Sequence, residues 1–126
     1  MARVSPDDLP PGPLVQGFSG GGFSVSGEIY RGLFLTPEQA SEWTPPASAA
    51  ELELAHVEPL LVLSPAPEFL LLGTGARIAF PPRAFIRAVE ARGLGVEVMD
   101  SRAAARTWGL LRGEERWIVA ALLPFA

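Results

Sequence analysis

The first third of the chain alternates apolar and polar residues in the manner of short strands. Phe23–Ser26 places the two kinds of residue at successive positions, which is typical of a half-buried strand. Ile29–Leu35 is a second apolar segment, and Gly27 lies between the two. Such segments joined by a short glycine-containing turn predict an antiparallel hairpin. Gly20–Gly22 precede the hairpin and indicate backbone conformations that other residues avoid.

The second half of the chain reads as strands that alternate with helices. Phe69–Leu72 is a short apolar run, which fits a strand buried on both faces. Residues 83–92 predict a helix, because their apolar positions recur on one face. That face consists of Phe85, Ala88 and Val89. Gly93 follows at the position where a left-handed cap ends a helix.

A second strand and helix follow, and then a last strand. Leu94–Met99 predicts the strand, and either Asp100 or Ser101 caps the helix by accepting a hydrogen bond from a first-turn amide. Trp117–Leu123 has seven uncharged residues and predicts a central strand. The order strand, helix, strand, helix, strand implies parallel pairing through right-handed crossovers. The predicted fold is one α/β domain with a mixed central sheet, a parallel βαβαβ C-terminal half and an N-terminal antiparallel hairpin.

Three segments leave more than one interpretation open. Residues 50–63 fit either a strand or a short helix that begins at Pro59, a residue suited to a first helical turn. Trp43 lies in a proline-rich loop and is either an interface aromatic or a core anchor. Residues 1–14 contain four prolines, which predicts a flexible tail before a single domain over residues 15–126.

Composition excludes several classes of function. The chain has 126 residues, no cysteine and one histidine, so disulfides, thiolate metal sites and cysteine nucleophiles are ruled out. We expect no metal, no cofactor and no catalytic constellation. The net charge of −4 argues against nucleic acid as a partner, because phosphate contacts require clustered cations. The absence of a signal-like segment or a long apolar run predicts a cytoplasmic protein without a transmembrane segment.

Two predicted loops leave the carboxyl ends of strands, where ligands of open α/β sheets bind. One loop contains Gly73, Thr74 and Gly75, and the other contains Asp100 and Ser101. If the strands are neighbours, a crevice between the loops would accept an anionic small molecule or a partner. The same crevice would include Arg77, Arg106 and Thr107. The alternative is ordinary turn and capping chemistry, since Gly73-Thr74-Gly75 matches no phosphate-binding motif.

Several segments taken together resemble one family. They are Gln16–Gly32, Leu70–Gly75, Val98–Trp108 and Arg116–Pro124. In combination these segments are similar to the domain of unknown function 498 family, which includes the mitochondrial complex I assembly factor 3 and an adipogenesis-associated animal protein. The chain departs from the family pattern at Gly109, where asparagine is common, and at Ser101, where threonine is common.

The resemblance implies a three-layer α/β domain with a mixed sheet. It also implies that the bacterial members have no established activity, and that the mitochondrial relative acts by binding proteins during assembly of respiratory complex I. We therefore expect a non-enzymatic protein-interaction or assembly factor with protein partners. The alternative is a small-molecule-binding protein or an enzyme that uses the predicted crevice. The oligomeric state stays open.

Overall fold

The computed structural model of the chain describes residues 12–125. The predicted flexible tail, residues 1–14, therefore lies almost wholly outside the described residues. Eight strands are present in this part of the chain: β1 (Gly17–Ser19), β2 (Gly22–Val25), β3 (Glu28–Tyr30), β4 (Leu33–Leu35), β5 (Ala40–Glu42), β6 (Phe69–Gly73), β7 (Gly95–Met99) and β8 (Val119–Leu122).

The strands form two sheets. Strands β1, β2 and β3 pair antiparallel in a small sheet, and the other five are arranged in the order β5-β4-β8-β6-β7. Strands β7, β6 and β8 run parallel, whereas β4 pairs antiparallel with both β5 and β8. The predicted mixed α/β fold and its parallel C-terminal half are confirmed. Strand β8 lies in the middle of the larger sheet, as the seven uncharged residues of Trp117–Leu123 indicate.

The helical segments are α1 (Glu58–Leu61), α2 (Arg83–Ala91) and α3 (Ser101–Gly113). Two 3-10 turns, Ala49–Glu51 and Leu54–Val57, precede α1. Of the two interpretations of residues 50–63, strand and short helix, the structure has the helical one, and Pro59 lies in the first turn of α1. Gly93 follows α2 with φ +92°, which is the left-handed cap predicted for it.

Each face of the larger sheet has its own hydrophobic core. In β6, Leu70 and Leu72 belong to the core that contains Phe85 of α2, whereas Leu71 belongs to the core that contains Trp108 of α3. The alternation follows from the two-residue period of a strand. Phe23 of the small sheet shares the core of Trp108. The hairpin therefore covers one face of the larger sheet and does not extend it.

The prediction of one strand over Ile29–Leu35 is wrong in one respect. Strand β3 ends at Tyr30, and β4 begins at Leu33 in the other sheet. Between them the chain passes close to the Trp43 backbone, where a Cβ on Gly32 would collide with the carbonyl oxygen of Trp43. An apolar run cannot reveal such a crossing, because its two halves look alike in the sequence although they pair in different sheets.

Trp43 has the core role, one of its two predicted interpretations. Its ring stacks on Phe34 with 5.0 Å between centroids, and its side chain is only 4% exposed. The indole Nε1 donates a hydrogen bond of 2.9 Å to the carbonyl oxygen of His56. The buried ring thus ties the proline-rich loop to the 3-10 turns and offers little surface to a partner.

We predict opposite stability changes for two glycine-to-alanine substitutions. A Cβ at Gly109 or at Gly93 would meet no heavy atom within 4 Å. Gly109 is in the interior of α3, so Gly109→Ala should raise the free energy of unfolding by about 0.8–1 kcal/mol. Gly93→Ala should lower it by roughly 1–2 kcal/mol, because L residues are strained at positive φ. Urea unfolding followed by circular dichroism measures both, and equal changes would contradict the argument.

Candidate functional site

The ends of the three parallel strands meet at one edge of the larger sheet. The amide of Thr74, just past β6, donates to the carbonyl oxygen of Met99 at 2.9 Å. The amide of Leu123, just past β8, donates to the carbonyl oxygen of Gly73, also at 2.9 Å. The glycine loop and the start of α3 therefore emerge together, as the predicted topology requires.

Ser101 joins the segments that meet at this edge. Its hydroxyl donates to the Leu123 carbonyl oxygen at 2.6 Å and accepts from the Gly75 amide at 2.8 Å. Its own amide donates to the Gly75 carbonyl oxygen at 2.9 Å. The side chain is fully buried. Asp100, and not Ser101, caps α3, since its Oδ1 accepts from the Ala103 amide at 2.9 Å.

The two loops of the predicted crevice are in direct contact at Gly73 and Ser101. A Cβ on Gly73 would lie 2.8 Å from the Ser101 hydroxyl oxygen and 2.8 Å from Cδ2 of Leu122. A methyl group therefore does not fit at this point without displacing a neighbour. The glycines serve close packing of the chain against itself. The topology correctly predicted that the loops meet, but it could not reveal how closely Ser101 and Leu122 approach Gly73.

The remaining residues of the predicted crevice line different parts of the surface. Arg77 is exposed in the loop after Gly75. Arg106 is exposed on α3 and lines a hollow of about 210 Å³ together with residues 15–18. Thr107 lines a different hollow, of about 590 Å³. The structure thus brings Gly73, Thr74, Gly75, Asp100 and Ser101 together and separates Arg106 and Thr107 from them.

Thr74 holds the next segment of the chain in a fixed turn. Its hydroxyl donates to the Arg77 carbonyl oxygen at 2.8 Å and accepts from the Ala79 amide at 3.0 Å. Residues 76–80, which we name the apolar loop, are all exposed. Ile78 and Phe80 are therefore large apolar side chains that face solvent. Their exposure was not predicted. The feature that could have indicated it is their position between a glycine turn and Pro81-Pro82, outside any predicted strand or helix.

The hollow beside Thr107, which we name the edge hollow, lies where β6 and β7 begin. It is lined by Glu68, Phe69, Gly95, Glu97, Thr107, Leu111 and Arg116. The Arg116 guanidinium binds the Glu68 carboxylate through Nη2 at 2.9 Å and Nε at 3.1 Å. The hydrogen bond from Arg116 lowers the pKa of the Glu68 carboxyl below its ordinary value. The same guanidinium lies 5.8 Å from the centre of the Phe69 ring.

Strand β7 presents a free backbone edge next to this hollow. The Gly95 amide and the Met99 carbonyl oxygen both bond toward β6. In a parallel strand alternate residues face opposite neighbours, so the backbone groups of Val96 and Val98 face away from β6. No other strand among residues 12–125 pairs with β7 on that side.

Two observations bear on bound groups. Within the described part of the chain, no cluster of three or more histidine, aspartate or glutamate side chains is arranged to hold a metal ion. Every buried side-chain nitrogen or oxygen atom in residues 12–125 has a hydrogen-bond partner. The polar interior described by the structure is therefore satisfied by the protein itself.

The family described as protein of unknown function (DUF498/DUF598) matches residues 15–123. The chain belongs to the DUF498 family. It is 29% identical over 114 residues to NADH dehydrogenase (ubiquinone) 1 alpha subcomplex assembly factor 3 of Danio rerio, covering 90% of this chain and 65% of that protein. A solved Bordetella parapertussis protein has a TM-score of 0.79 and 32% identity, covering 90% of this chain and 97% of the other.

Another relative of this chain has a name that refers to a membrane. A protein of Francisella tularensis named 13 kDa major membrane protein is 31% identical over 91 residues, covering 71% of this chain and 72% of that protein. Among residues 12–125, no helix is both long and apolar enough to cross a membrane. The chain spans about two thirds of the length of the assembly-factor relatives that it matches.

We predict that Ser101→Ala destabilises the protein by about 1–3 kcal/mol, because it leaves the Gly75 amide and the Leu123 carbonyl oxygen buried without this partner. Ser19→Ala, in an exposed strand position, should change stability by less than about 0.5 kcal/mol. Urea unfolding of both variants measures the difference. A Ser101→Ala variant as stable as the wild type would contradict the role assigned to the hydroxyl.

We also predict a pH dependence from the Glu68–Arg116 pair. Because the folded-state pKa of Glu68 is lowered, its contribution to stability is present above the unfolded-state pKa and is lost as the pH falls through the folded-state pKa. The loss on acidification should be slightly smaller in Glu68→Gln than in the wild type, since the pair is exposed to solvent. Melting temperatures at neutral and acidic pH, with Glu51→Gln as the control, measure it. Identical pH profiles for Glu68→Gln and the wild type would contradict the prediction.

Proposed function

We propose that this DUF498 protein is a non-enzymatic assembly factor that binds partner proteins during formation of an NADH dehydrogenase complex. The observation that carries the proposal is the extent of its match to the Danio rerio assembly factor, which covers 90% of the chain. The similarity spans the whole α/β domain rather than one motif. A role that uses the surface of the domain accounts for such a match better than a role confined to one loop.

The close packing around Gly73 at the carboxyl edge supports a binding role over a catalytic one. In α/β enzymes this edge commonly holds the ligand. Here Ser101 and Leu122 occupy the space next to Gly73. The alternative function, an enzyme or carrier for an anionic small molecule, would need open space beside these atoms.

We propose the edge hollow and β7 as the surface for an extended segment of the partner. The free backbone edge at Val96 and Val98 suits the addition of a strand, a mode in which main-chain hydrogen bonds supply affinity. Phe69 and Leu111 form an apolar floor beside that edge. Glu97 lies in the middle of the edge strand, so it favours a partner segment with a basic or polar residue opposite. Two copies of β7 paired about Glu97 would place like charges together, which disfavours self-association here.

The predicted cytoplasmic location is retained as part of this proposal. The Francisella tularensis relative is named as a membrane protein, so fractionation of cells into soluble and membrane material is the direct measurement of location. Partner binding at β7 is compatible with either fraction, because the proposed surface is formed by the folded domain.

Deletion of the gene in the source organism tests the function. We expect less assembled NADH dehydrogenase complex on native gels, and we expect the wild-type gene to restore it. A double variant, Glu97→Lys with Thr107→Arg, reverses the charge of the edge and fills the hollow, so it should fail to restore assembly. Arg106→Gln, one residue away on α3 and outside the edge hollow, should restore it fully.

Two results of this experiment would contradict the proposal. An unchanged amount of the complex after deletion removes the assembly role. Full rescue by the double variant removes β7 as the partner surface. Melting temperatures of both variants, which alter exposed or half-buried side chains, check that the proteins are folded.

A further inference from the structure

The apolar loop exposes two large apolar side chains to solvent. Phe80 is 72% exposed and Ile78 is 54% exposed, and only one residue separates them. Phe80 has the highest exposed fraction of any large apolar side chain in residues 12–125. Adjacent exposed apolar side chains mark a contact surface more often than isolated ones do.

The loop cannot hide these side chains by a small rearrangement. Thr74 bonds to the backbone of Arg77 and Ala79 and so fixes the turn that contains Ile78. Pro81 is buried immediately after Phe80. The loop is therefore held on both sides, and Ile78 and Phe80 remain exposed in this conformation.

The sequence around the loop is positively charged, in contrast to the rest of the chain. Residues 74–89 contain Arg77, Arg83 and Arg87 and no acidic residue, whereas the chain as a whole has a net charge of −4. The ion pairs found within the described residues involve Arg92 and Arg116 but none of these three arginines.

Arg83 and Arg87 are exposed and lie one turn apart in α2, which begins three residues after Phe80. The acidic residues at the borders of this region are Asp100 and Glu90. The Asp100 carboxylate accepts a hydrogen bond from the first turn of α3. Glu90 lies three residues after Arg87 on the same exposed face of α2, so it offsets one of the two positive charges there.

We propose that the apolar loop docks the protein on an anionic lipid bilayer. Ile78 and Phe80 would enter the interface between headgroups and acyl chains, and the three guanidinium groups would contact lipid phosphates. Guanidinium groups bind phosphate oxygens bidentately, and cations near an anionic leaflet are attracted to it. Two exposed apolar side chains with cations close to them in the sequence suit a deformable surface, whereas a protein partner would need a matching cavity.

The net negative charge of the chain does not prevent such docking. At physiological ionic strength the Debye length is about 8 Å, so acidic residues on distant parts of the surface are screened from the bilayer. The arginines near the loop are the charges within reach of the headgroups. This inference does not depend on the assembly role, since β7 and the loop are different surfaces.

Flotation of the purified protein with vesicles tests the proposal. We expect binding to vesicles of equal parts phosphatidylglycerol and phosphatidylcholine, and little binding to pure phosphatidylcholine. Removing two cations in Arg83→Gln with Arg87→Gln should weaken binding about 25-fold, at about fivefold per cation. Ile78→Ser with Phe80→Ser should weaken it by at least about tenfold.

Leu110→Ser is the matched control, because Leu110 is 71% exposed but lies on α3. Its vesicle binding should equal that of the wild type, as should that of Arg106→Gln. The proposal is overturned if the wild type does not float with anionic vesicles, or if Leu110→Ser loses as much binding as the loop variant. Equal binding to neutral vesicles would likewise overturn it, since the arginines would then have no role. Phe80-dependent binding to a purified protein without any vesicle binding would assign the loop to a protein partner instead.

Discussion

The architecture of the sheet edge depends on one buried hydroxyl group. Ser101 bonds to Gly75 and to Leu123, residues that follow β6 and β8, while it also begins α3. Three chain segments that are far apart in sequence are thereby joined at one point. A buried polar group with every partner in place both stabilises and specifies its surroundings, whereas the same group with a partner missing is costly. The absence of a side chain at Gly73 is what lets Ser101 approach so closely.

Much of the fold follows from patterns visible in the sequence. The apolar runs Phe69–Leu72 and Trp117–Leu123 are long and uniform enough to identify strands that are covered on both sides, and the helical period of residues 83–92 is clear. Residues 50–63 are different, because short apolar groups there fit two periods equally well. Burial of Leu60 and Leu61 against the sheet core selects the helical form. The split of Ile29–Leu35 between two sheets depends on tertiary contacts that no local pattern carries.

The candidate site was harder to predict for a physical reason. Topology determines which loops share an edge, and that prediction is confirmed. Whether a gap remains between the loops depends on side-chain volumes within about an ångström, and here Ser101 and Leu122 lie directly against Gly73. Exposure is equally hidden from sequence reasoning. Ile78 and Phe80 have the residue types of core positions, and only the turn imposed by Thr74 turns them toward solvent.

The interior and the surface of this edge are therefore connected. Ser101 fixes the backbone of Gly75, and the neighbouring Thr74 fixes the turn that carries Ile78 and Phe80. A loop with two exposed apolar side chains would normally gain by folding back onto the protein, because burial of apolar area is favourable. The hydrogen bonds of Thr74 oppose that collapse. The polar network that joins the two loops is, by the same geometry, what keeps an apolar surface available for contact with another molecule.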